Sequence, residues 1–369
     1  MKRVLAVSCL LACGGHGGSN TGDAPPAPPP DASALPDTPA PPPDGPTYRF
    51  LCQAPPPEDA PNPTPPPMKS GCPTLVAGEN TFTSSGATRT FQLVLPTTPV
   101  AGEVYPVMFM WYWLGGSSNG FISQGEVQAA VDDERFIAVV PDDIGADVLG
   151  TSFNTHWPFD ITQTADRMTE EFAFFDDMLS CVEQQFAVNQ NCVSTVGVSA
   201  GALFTDQLAQ ARSETLSSFI SLSGGVDATI IKPWAQPDRA LPAIVLWGGD
   251  GPPATQTKDI LGCFGIGMDF SVASHDLEDG LVAGGDFFVE CEHNCGHVEP
   301  PIDPPPGESK FAGIWDFAWQ HPFWLAPGQS PYLTTGLPDT MPAWCGIGKG
   351  GATPRSDPTC PMTENPCAY

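Results

Sequence analysis

The sequence predicts one large α/β domain, with a mostly parallel sheet flanked by helices, behind a disordered proline-rich N-terminal tether. Short apolar runs alternate along the chain with segments whose apolar residues recur at helical spacing, as repeated strand and helix units require. Between Gly197 and Gly201 a β-branched run passes directly into such a helical pattern. The roughly 300 residues behind the tether are enough to bury a core of their own.

The first 13 residues have the pattern of a targeting segment. Lys2 and Arg3 precede an apolar run from Val4 to Leu11, which is too short to span a bilayer as a permanent helix. Residues 10–13, Leu-Leu-Ala-Cys, resemble the lipobox of bacterial lipoproteins, and this resemblance implies that Cys13 carries the lipid. The alternative is an ordinary cleavable signal peptide. Both predict an exported protein, anchored to the outer membrane or cell surface in the first case and secreted in the second.

Residues 14–50 form the predicted tether. As far as Pro46 the chain is rich in Gly, Ser, Pro, Ala and Asp with almost no large apolar residue, so it has nothing to bury and is expected to stay unfolded. In a polyproline conformation the stretch from Ser19 to Pro46 would extend about 85 Å at about 3.1 Å per residue. We place the folded domain at residues 51–369.

The composition excludes several classes of partner. The chain has 42 acidic and 14 basic residues, which gives a formal net charge of −28 at pH 7. So acidic a surface repels phosphate backbones and anionic headgroups. We therefore expect no nucleic-acid partner, and no membrane contact except through the lipid anchor.

The cysteine count fits an oxidising compartment. Ten cysteines remain after Cys9 and Cys13, and an even number in an exported chain predicts up to five disulfides. We predict one pair in particular, Cys181 with Cys192, because these residues bracket a helix end and the start of a strand. We also expect the proline-rich run from Pro55 to Pro67 to be a loop closed by the flanking pair Cys52 and Cys72.

The predicted elements follow one another from residue 90 onward. Apolar and β-branched runs predict the strands Thr90–Pro96, Val104–Leu114, Phe136–Val140, Cys192–Val196, Phe219–Leu222, Ala243–Trp247 and Asp286–Glu290. Helical spacing predicts the helices Glu170–Phe186, Ala200–Ala211 and Phe311–Gln320. Strands and helices in this order predict a parallel sheet covered on both faces.

Residues 197–201, Gly-Val-Ser-Ala-Gly, have the strand, turn and helix context of a nucleophile elbow. A serine on so tight a turn needs neighbours without bulk, so that the backbone can bend and the hydroxyl can stand clear. The same turn directs the backbone N–H of Ala200 to the place where an oxyanion would form. Ser199 is therefore the predicted nucleophile, and Ala200 is a predicted oxyanion-hole donor.

The elbow and the order of elements from Thr90 to Gln320 resemble the α/β-hydrolase fold, and within it the secreted esterases similar to polyhydroxybutyrate depolymerases and feruloyl esterases. Members of this fold carry their catalytic residues in the order Ser, then Asp or Glu, then His. The resemblance implies Asp250 as the acid, because it follows the strand that ends at Trp247. Asp259 and Asp269 are the alternatives.

The resemblance also implies the base. Residues 296 and 297, Gly-His, resemble the Gly-His that carries the base in these esterases, so we predict His297, with His293 as its nearest competitor. The segment from Cys291 to His297 alternates ligand types in a way that admits zinc. Exported cysteines are usually oxidised, however, and the spacing is not Cys-x-x-Cys, so we predict no metal there.

A second oxyanion donor is expected in the loop after the strand that ends near Leu114. Residues 111–117, Trp-Tyr-Trp-Leu-Gly-Gly-Ser, resemble the His-Gly-x-Gly-Gly-Ser of the family, with Tyr-Trp in place of His-Gly. The predicted donor is the amide of Leu114, with that of Trp113 as the alternative. An aromatic pocket for a phenolic acyl group or a sugar ring has four candidate members, namely Trp111, Trp113, Trp157 and Phe159.

These residues predict an extracellular serine esterase that hydrolyses a carboxylic ester, from a polyester or a plant-glycan (feruloyl-type) substrate, through an acyl-enzyme and without a cofactor. Two alternatives stay open. One is a peptidase or lipase on the same scaffold. The other is a tethered surface lipoprotein that kept the fold for binding and lost catalytic rate. Its motivation is that the His-Gly of the family is missing twice, from the loop near Leu114 and from the position before Asp250, where this chain has Trp247-Gly248.

Overall fold

The computed structural model describes residues 48–147, 149–150, 154–249, 259–263 and 266–361. Within these ranges nine strands form one sheet in the order β1-β2-β4-β3-β5-β6-β7-β10-β11, and two more strands, β8 and β9, pair separately. The strands are β1 Gly78–Ser84, β2 Ala87–Val94, β3 Tyr105–Trp111, β4 Ile137–Pro141, β5 Val188–Val198, β6 Ser218–Leu222, β7 Ala243–Gly248, β8 Ile260–Cys263, β9 Ile266–Asp269, β10 Phe288–His293 and β11 Cys345–Ile347.

The centre of the sheet, from β4 through β10, is parallel, and the antiparallel pairs lie at its two ends. The predicted fold class is therefore confirmed. Strands β3, β4 and β7 are buried along their whole length, because helices cover the sheet. The helices are α1 Ser118–Gln124, α2 Val127–Glu134, α3 Ala165–Glu183, α4 Ala200–Ala211, α5 Phe270–Gly284, α6 Ala312–Gln320 and α7 Tyr332–Thr335.

Three of the predicted pocket aromatics belong to the core instead. Trp111, Trp157 and Phe159 are completely buried, and Trp111 contacts both Trp157 and Phe204 edge to face. The indole N–H of Trp111 is also bonded within the core, because Nε1 donates to Thr195 Oγ1 at 2.8 Å. The alternation of apolar residues could not distinguish these core positions from a pocket lining.

The segment before β1 packs against α3 and β5. Phe50 is buried, and a short 3-10 turn follows at Leu51–Gln53. Further along, Lys69 Nζ lies 2.9 Å from Asp177 Oδ2 on α3, and the Leu75 amide donates to Gln185. The described part of the folded unit therefore begins slightly before the predicted boundary at residue 51.

Two disulfide expectations are wrong. Cys192 on β5 is bonded to Cys52, and Cys181 on α3 is bonded to Cys72, so the predicted bond between Cys181 and Cys192 does not form. The proline-rich run between Cys52 and Cys72 is likewise not closed by those two residues. Each end of it is fixed separately to the domain, because the N-terminal segment lies across α3 and β5, a long-range packing that local spacing does not reveal.

Two further bonds fix the C-terminal part of the chain near β10. Cys291 on β10 pairs with Cys345 on β11, and Cys295 pairs with Cys360. Both cysteines of the segment from Cys291 to His297 are thus oxidised, which removes the thiolates that a zinc site there would need. Cys13 lies outside the described residues. In the described part of the chain, no helix combines the length and the apolar character needed to cross a bilayer.

Candidate active site

Ser199 occupies the turn between β5 and α4 in a strained conformation. Its φ and ψ are 55° and −120°, a region that non-glycine residues rarely adopt. The turn is held by a hydrogen bond from the Ser199 amide to the Leu222 carbonyl on the neighbouring strand β6, at 2.9 Å. The side chain is thereby placed at the carboxyl end of the sheet, where folds of this kind keep their ligand sites.

The two glycines of the turn are required by close backbone packing. A Cβ atom on Gly197 would lie 2.2 Å from the carbonyl oxygen of Gly201, and one on Gly201 would lie 2.0 Å from the carbonyl oxygen of Trp111. Both distances are far below van der Waals contact. The glycines therefore let α4 start directly beside the end of β3, which brings the loop after β3 next to Ser199.

His297 and Asp259 complete a hydrogen-bonded chain with Ser199. The Ser199 hydroxyl lies 2.8 Å from His297 Nε2, and His297 Nδ1 lies 2.6 Å from Asp259 Oδ1. The His297 ring stacks on Phe270 of α5 at a centroid distance of 4.3 Å. An imidazole held in this way can take a proton from the hydroxyl while the carboxylate stabilises the resulting cation.

The carboxylate of Asp259 is completely buried and is fixed by two further donors. Its Oδ2 accepts hydrogen bonds from the Ser223 hydroxyl at 2.8 Å and the Gly248 amide at 2.9 Å, so its orientation toward His297 is set by the protein. The Asp259 amide in turn donates to the carbonyl of Gly248 at 3.2 Å. Asp259 therefore stands at the carboxyl end of β7, where the acid was expected.

The expectation that Asp250 is the acid is corrected. Asp250 lies outside the described residues, and the carboxylate that contacts His297 is that of Asp259, one of the two alternatives. Asp269, the other alternative, caps α5 by accepting from the Val272 amide. Chain order alone did not separate the aspartates that follow β7.

His293, the competitor of His297, is a structural residue. It is 1% exposed at the end of β10, and its Nδ1 accepts from the Cys295 amide at 3.2 Å. Burial lowers its pKa to about 4, so the ring stays neutral. It has no contact with Ser199 among the described hydrogen bonds.

Two amides of the loop after β3, those of Trp113 and Leu114, lie beside the cavity without an acceptor among the described hydrogen bonds. The Gly116 amide donates to the Trp113 carbonyl at 2.9 Å, and the Gly115 amide donates to His156 Nε2 at 2.9 Å. The Leu114 amide has no hydrogen-bond acceptor among the described residues, and Leu114 lines the same cavity as Ser199. Ala200 is the first residue of α4, so its amide has no acceptor within the helix.

A second histidine holds this loop. His156 Nε2 accepts from the Gly115 amide, so the ring proton is on Nδ1, which lies 3.0 Å from Asp143 Oδ2. The Tyr112 hydroxyl donates to the same oxygen at 2.5 Å. Burial alone would raise the pKa of Asp143, but the bonds from His156 and Tyr112 outweigh it and the pKa lies below its usual range. The tyrosine at the position of the family's histidine thus anchors the loop through its side chain.

The comparisons with known proteins bear on the fold that carries this site. The structure is similar to that of a pOPH variant in complex with dimethyl sulfoxide, with a TM-score of 0.60 and 16% identity over 79% of this chain and 99% of that one. It is similar to native sOPH, with a TM-score of 0.58 and 18% identity over 76% of this chain and 97% of that one. With the parallel sheet and the elbow, these matches decide the fold. This chain has the α/β-hydrolase fold.

The sequence also matches a curated relative. Feruloyl esterase D of Neurospora crassa is 27% identical over 162 residues, which are 42% of this chain and 53% of that protein. The match thus spans about half the length of the curated relative. No family model matches the chain.

The candidate site opens into a cavity of about 480 Å³. Aromatic side chains line much of it, namely Trp113, Phe121, Phe311 and Trp315, and Ser199 and His297 line it too. One wall is tied to another by Lys310, whose Nζ lies 2.5 Å from Glu299 and donates to the Gln124 carbonyl at 2.6 Å. The cavity is therefore apolar with a charged rim, which suits a substrate with one large apolar group.

Sequence reasoning missed the residues that position the site. His156, Asp143 and Tyr112 carry no motif, and neither does Ser223, whose hydroxyl donates to Asp259. The signal for the first group was indirect. Tyr112 departs from the motif that this loop resembles, and that departure was the one sign in the sequence that the loop is held in a different way.

Proposed function

We propose that the chain is an exported serine esterase that hydrolyses carboxylic esters through an acyl-enzyme. The observation that carries the proposal is the continuous hydrogen-bonded chain from the Ser199 hydroxyl through His297 to Asp259. A strained serine in contact with an oriented imidazole has the geometry of an activated nucleophile. The esterase named as a relative supports the same class of reaction.

In the first step Ser199 Oγ attacks the ester carbonyl while its proton passes to His297 Nε2. The imidazolium then protonates the departing alcohol, and the acyl group stays on Ser199. In the second step a water molecule gives its proton to His297 and attacks the acyl-enzyme, which releases the acid and restores the serine. Asp259 keeps the His297 proton on Nδ1 through the contact between them.

The negative charge of each tetrahedral intermediate falls on the former carbonyl oxygen. We assign its stabilisation to the amides of Ala200 and Leu114. The first stands at the N-terminus of α4, where the helix dipole favours an anion. The second has no acceptor among the described hydrogen bonds, whereas the two amides that follow it in the loop already have acceptors, and the Trp113 amide is the alternative donor.

The cavity supports an acyl group of aromatic or bulky aliphatic type, as in a feruloyl-type or polyester substrate. Trp113 and Phe121 lie 6.0 Å apart between ring centroids and can contact a phenolic ring, such as that of the feruloyl group in the name of the Neurospora crassa relative. Export is supported by the four disulfides among the described residues and by the apolar run before Cys13, which we propose as the lipid anchor.

The test is covalent labelling of the purified protein with a fluorophosphonate probe, which reports an activated serine whatever the natural substrate is. We expect labelling of the unmodified chain and none of Ser199→Ala. Ser123→Ala is the matched control, because Ser123 is an exposed serine of the same cavity. A folded protein that stays unlabelled would overturn the proposal and favour a binding function.

A substrate panel then separates the ester classes. The protein that reacts with the probe is assayed with four substrates, namely methyl ferulate, a hydroxybutyrate oligomer, a triglyceride and a peptide amide. We expect turnover of the first or second. Turnover of the peptide or the triglyceride alone would replace the esterase proposal by a peptidase or lipase on the same site.

A further inference from the structure

Three ionisable side chains meet between α5 and β10, away from Ser199. His275 and Glu278 lie three residues apart on α5, and Glu290 lies on β10. One nitrogen or oxygen atom of each lies within 4.8 Å of the corresponding atoms of the other two. The closest approach is 3.0 Å, between His275 Nδ1 and Glu278 Oε2.

Both carboxylates of this cluster are buried, and one of them is incompletely bonded. Glu290 is 3% exposed, and its two oxygens accept from the amides of Gly350 and Ala352 at 2.9 and 2.8 Å. Glu278 is completely buried, and its Oε1 has no hydrogen-bond partner. A buried carboxylate oxygen without a partner is costly unless a proton or a cation neutralises it.

The surrounding charges do not neutralise the pair. Lys349 is the basic group that acts on Glu278, but its Nζ is bonded to Asp279 at 2.5 Å on the solvent side. Asp279, Glu290 and Glu292 all add negative potential. The cluster therefore has room for one positive charge between His275 and the two glutamates.

We propose that His275, Glu278 and Glu290 bind a divalent metal ion of the zinc type. One imidazole nitrogen with two carboxylates suits zinc and similar transition metals, whereas calcium prefers oxygen ligands throughout. The spacing of three on α5 places His275 and Glu278 on one face of the helix. The His275 side chain is 49% exposed, so the ion has a path from solvent and water can fill its remaining position.

A bound ion would connect separate elements of the fold. It would bridge α5 to β10 and, through Glu290, to the segment that contains Gly350 and Ala352. Helix α5 also carries Phe270, the residue on which His297 stacks. The consequence is a more stable fold in the presence of metal. This inference does not depend on the proposed esterase function, because neither binding nor melting requires catalysis.

The experiment is a calorimetric zinc titration of the tag-free mature chain after removal of metal with EDTA, at pH 7.5. We expect one ion per chain and a rise in Tm on the order of 5 °C when free zinc exceeds its Kd a hundredfold. His275→Ala and Glu278→Gln should each weaken zinc binding at least tenfold. Asp276→Asn should not, although it removes the same charge from an exposed position beside His275.

Three results would overturn the proposal. The first is a protein that neither binds zinc nor melts higher with it, which together with a stabilising effect of Glu278→Gln would mean that the cluster holds a proton. The second is equal zinc affinity in the protein and in both ligand variants, which would place the ion elsewhere. The third is a rise in Tm with millimolar calcium and none with zinc, which would exclude the proposed metal class.

Discussion

The candidate site contains two histidine–aspartate pairs that are built alike and face different groups. In the first pair, His297 Nδ1 contacts Asp259 at 2.6 Å and Nε2 contacts the Ser199 hydroxyl at 2.8 Å. In the second, His156 Nδ1 contacts Asp143 at 3.0 Å, and Nε2 accepts from the Gly115 amide at 2.9 Å. In both, the carboxylate fixes the tautomer that leaves Nε2 free to accept.

What differs is the donor that each Nε2 receives. A serine hydroxyl can give up its proton as it attacks a carbonyl, so His297 can act as a general base. A backbone amide does not give up its proton in such chemistry, so His156 can only hold the loop of Leu114. The same pair of side chains thus serves proton transfer in one place and loop geometry in the other. The group that faces Nε2 decides the role.

The largest expected difference between the pairs comes from removing the histidines. We expect His297→Ala to lower kcat for a p-nitrophenyl ester by about 10⁵- to 10⁶-fold, because the nucleophile loses its base. His156→Ala should lower kcat by only about 10- to 100-fold, since the Leu114 amide is displaced but not removed. Equal losses in the two variants would show that His156 also takes part in proton transfer.

Replacing each aspartate by asparagine tests the tautomer argument. In Asp259→Asn the amide side chain would donate to His297 Nδ1, so the proton would move to Nε2 and the base would be blocked, with an expected loss in kcat of about 10⁴-fold. In Asp143→Asn the same flip would set His156 Nε2–H against the Gly115 amide. This variant should lose only about tenfold in kcat, with KM nearly unchanged.

A conservative variant outside the described residues serves as the control for these aspartates. Asp250→Asn should leave kcat within a factor of about two, because the position beside His297 is filled by Asp259. The measurement is kcat and KM for the three variants with one ester. If Asp250→Asn lost as much as Asp259→Asn, the assignment of the acid would have to be reversed.

The part of the site that the sequence predicts well is the part fixed by close backbone packing. Gly197 and Gly201 are required because any side chain there would collide with a neighbouring backbone. The elbow can therefore be recognised from a short motif in the sequence. The strands can be recognised in the same way, because burial on both faces requires continuous runs of apolar residues. The predicted strand at 104–114 and the observed β3 differ only at their ends.

The acid, the oxyanion loop and the disulfides depend instead on which distant segments meet. Asp259 reaches the site through its bonds to Gly248 and Ser223, and His156 reaches it through Gly115. Cys192 forms a disulfide with Cys52, which lies 140 positions away in the sequence. None of these contacts has a fixed spacing in sequence, so a reading of local patterns favoured nearer partners, Asp250 for the acid and Cys181 for the disulfide.

A smaller effect is expected from the tyrosine that supports the second pair. Tyr112→Phe removes the hydroxyl that donates to Asp143 and accepts from the Asp143 amide. We expect a loss of about 1 kcal/mol in the free energy of unfolding and a drop in kcat of a few-fold. Chemical denaturation and steady-state kinetics measure both. A drop in kcat like that of His297→Ala would contradict a purely supporting role.

The smallest expected effect is the change in stability of the fold with pH, which sets the pH range in which the two pairs can be compared. The buried Glu278 and Glu134 have pKa values raised by burial to about 8 and about 7, so the folded protein keeps protons that the unfolded chain gives up near pH 4.5. Their contribution to stability is complete below pH 4.5 and is lost as the pH rises through 7 and 8. The buried His293 and His321 have pKa values lowered by burial to about 4, so they change stability only below about pH 6.5.

Of these four buried groups, only the two glutamates therefore change the stability between pH 6.5 and 8.5. We expect Tm in EDTA to fall by a few degrees over that range. Glu278→Gln should flatten the decline, whereas Asp276→Asn should leave it unchanged. A Tm that rises with pH would mean that Glu278 is ionised in the folded protein. Because a general base must be unprotonated, the rate of Ser199 labelling should not decline over the same range. A labelling rate that follows Tm downward would instead make stability of the fold, rather than protonation of His297, the limit on activity.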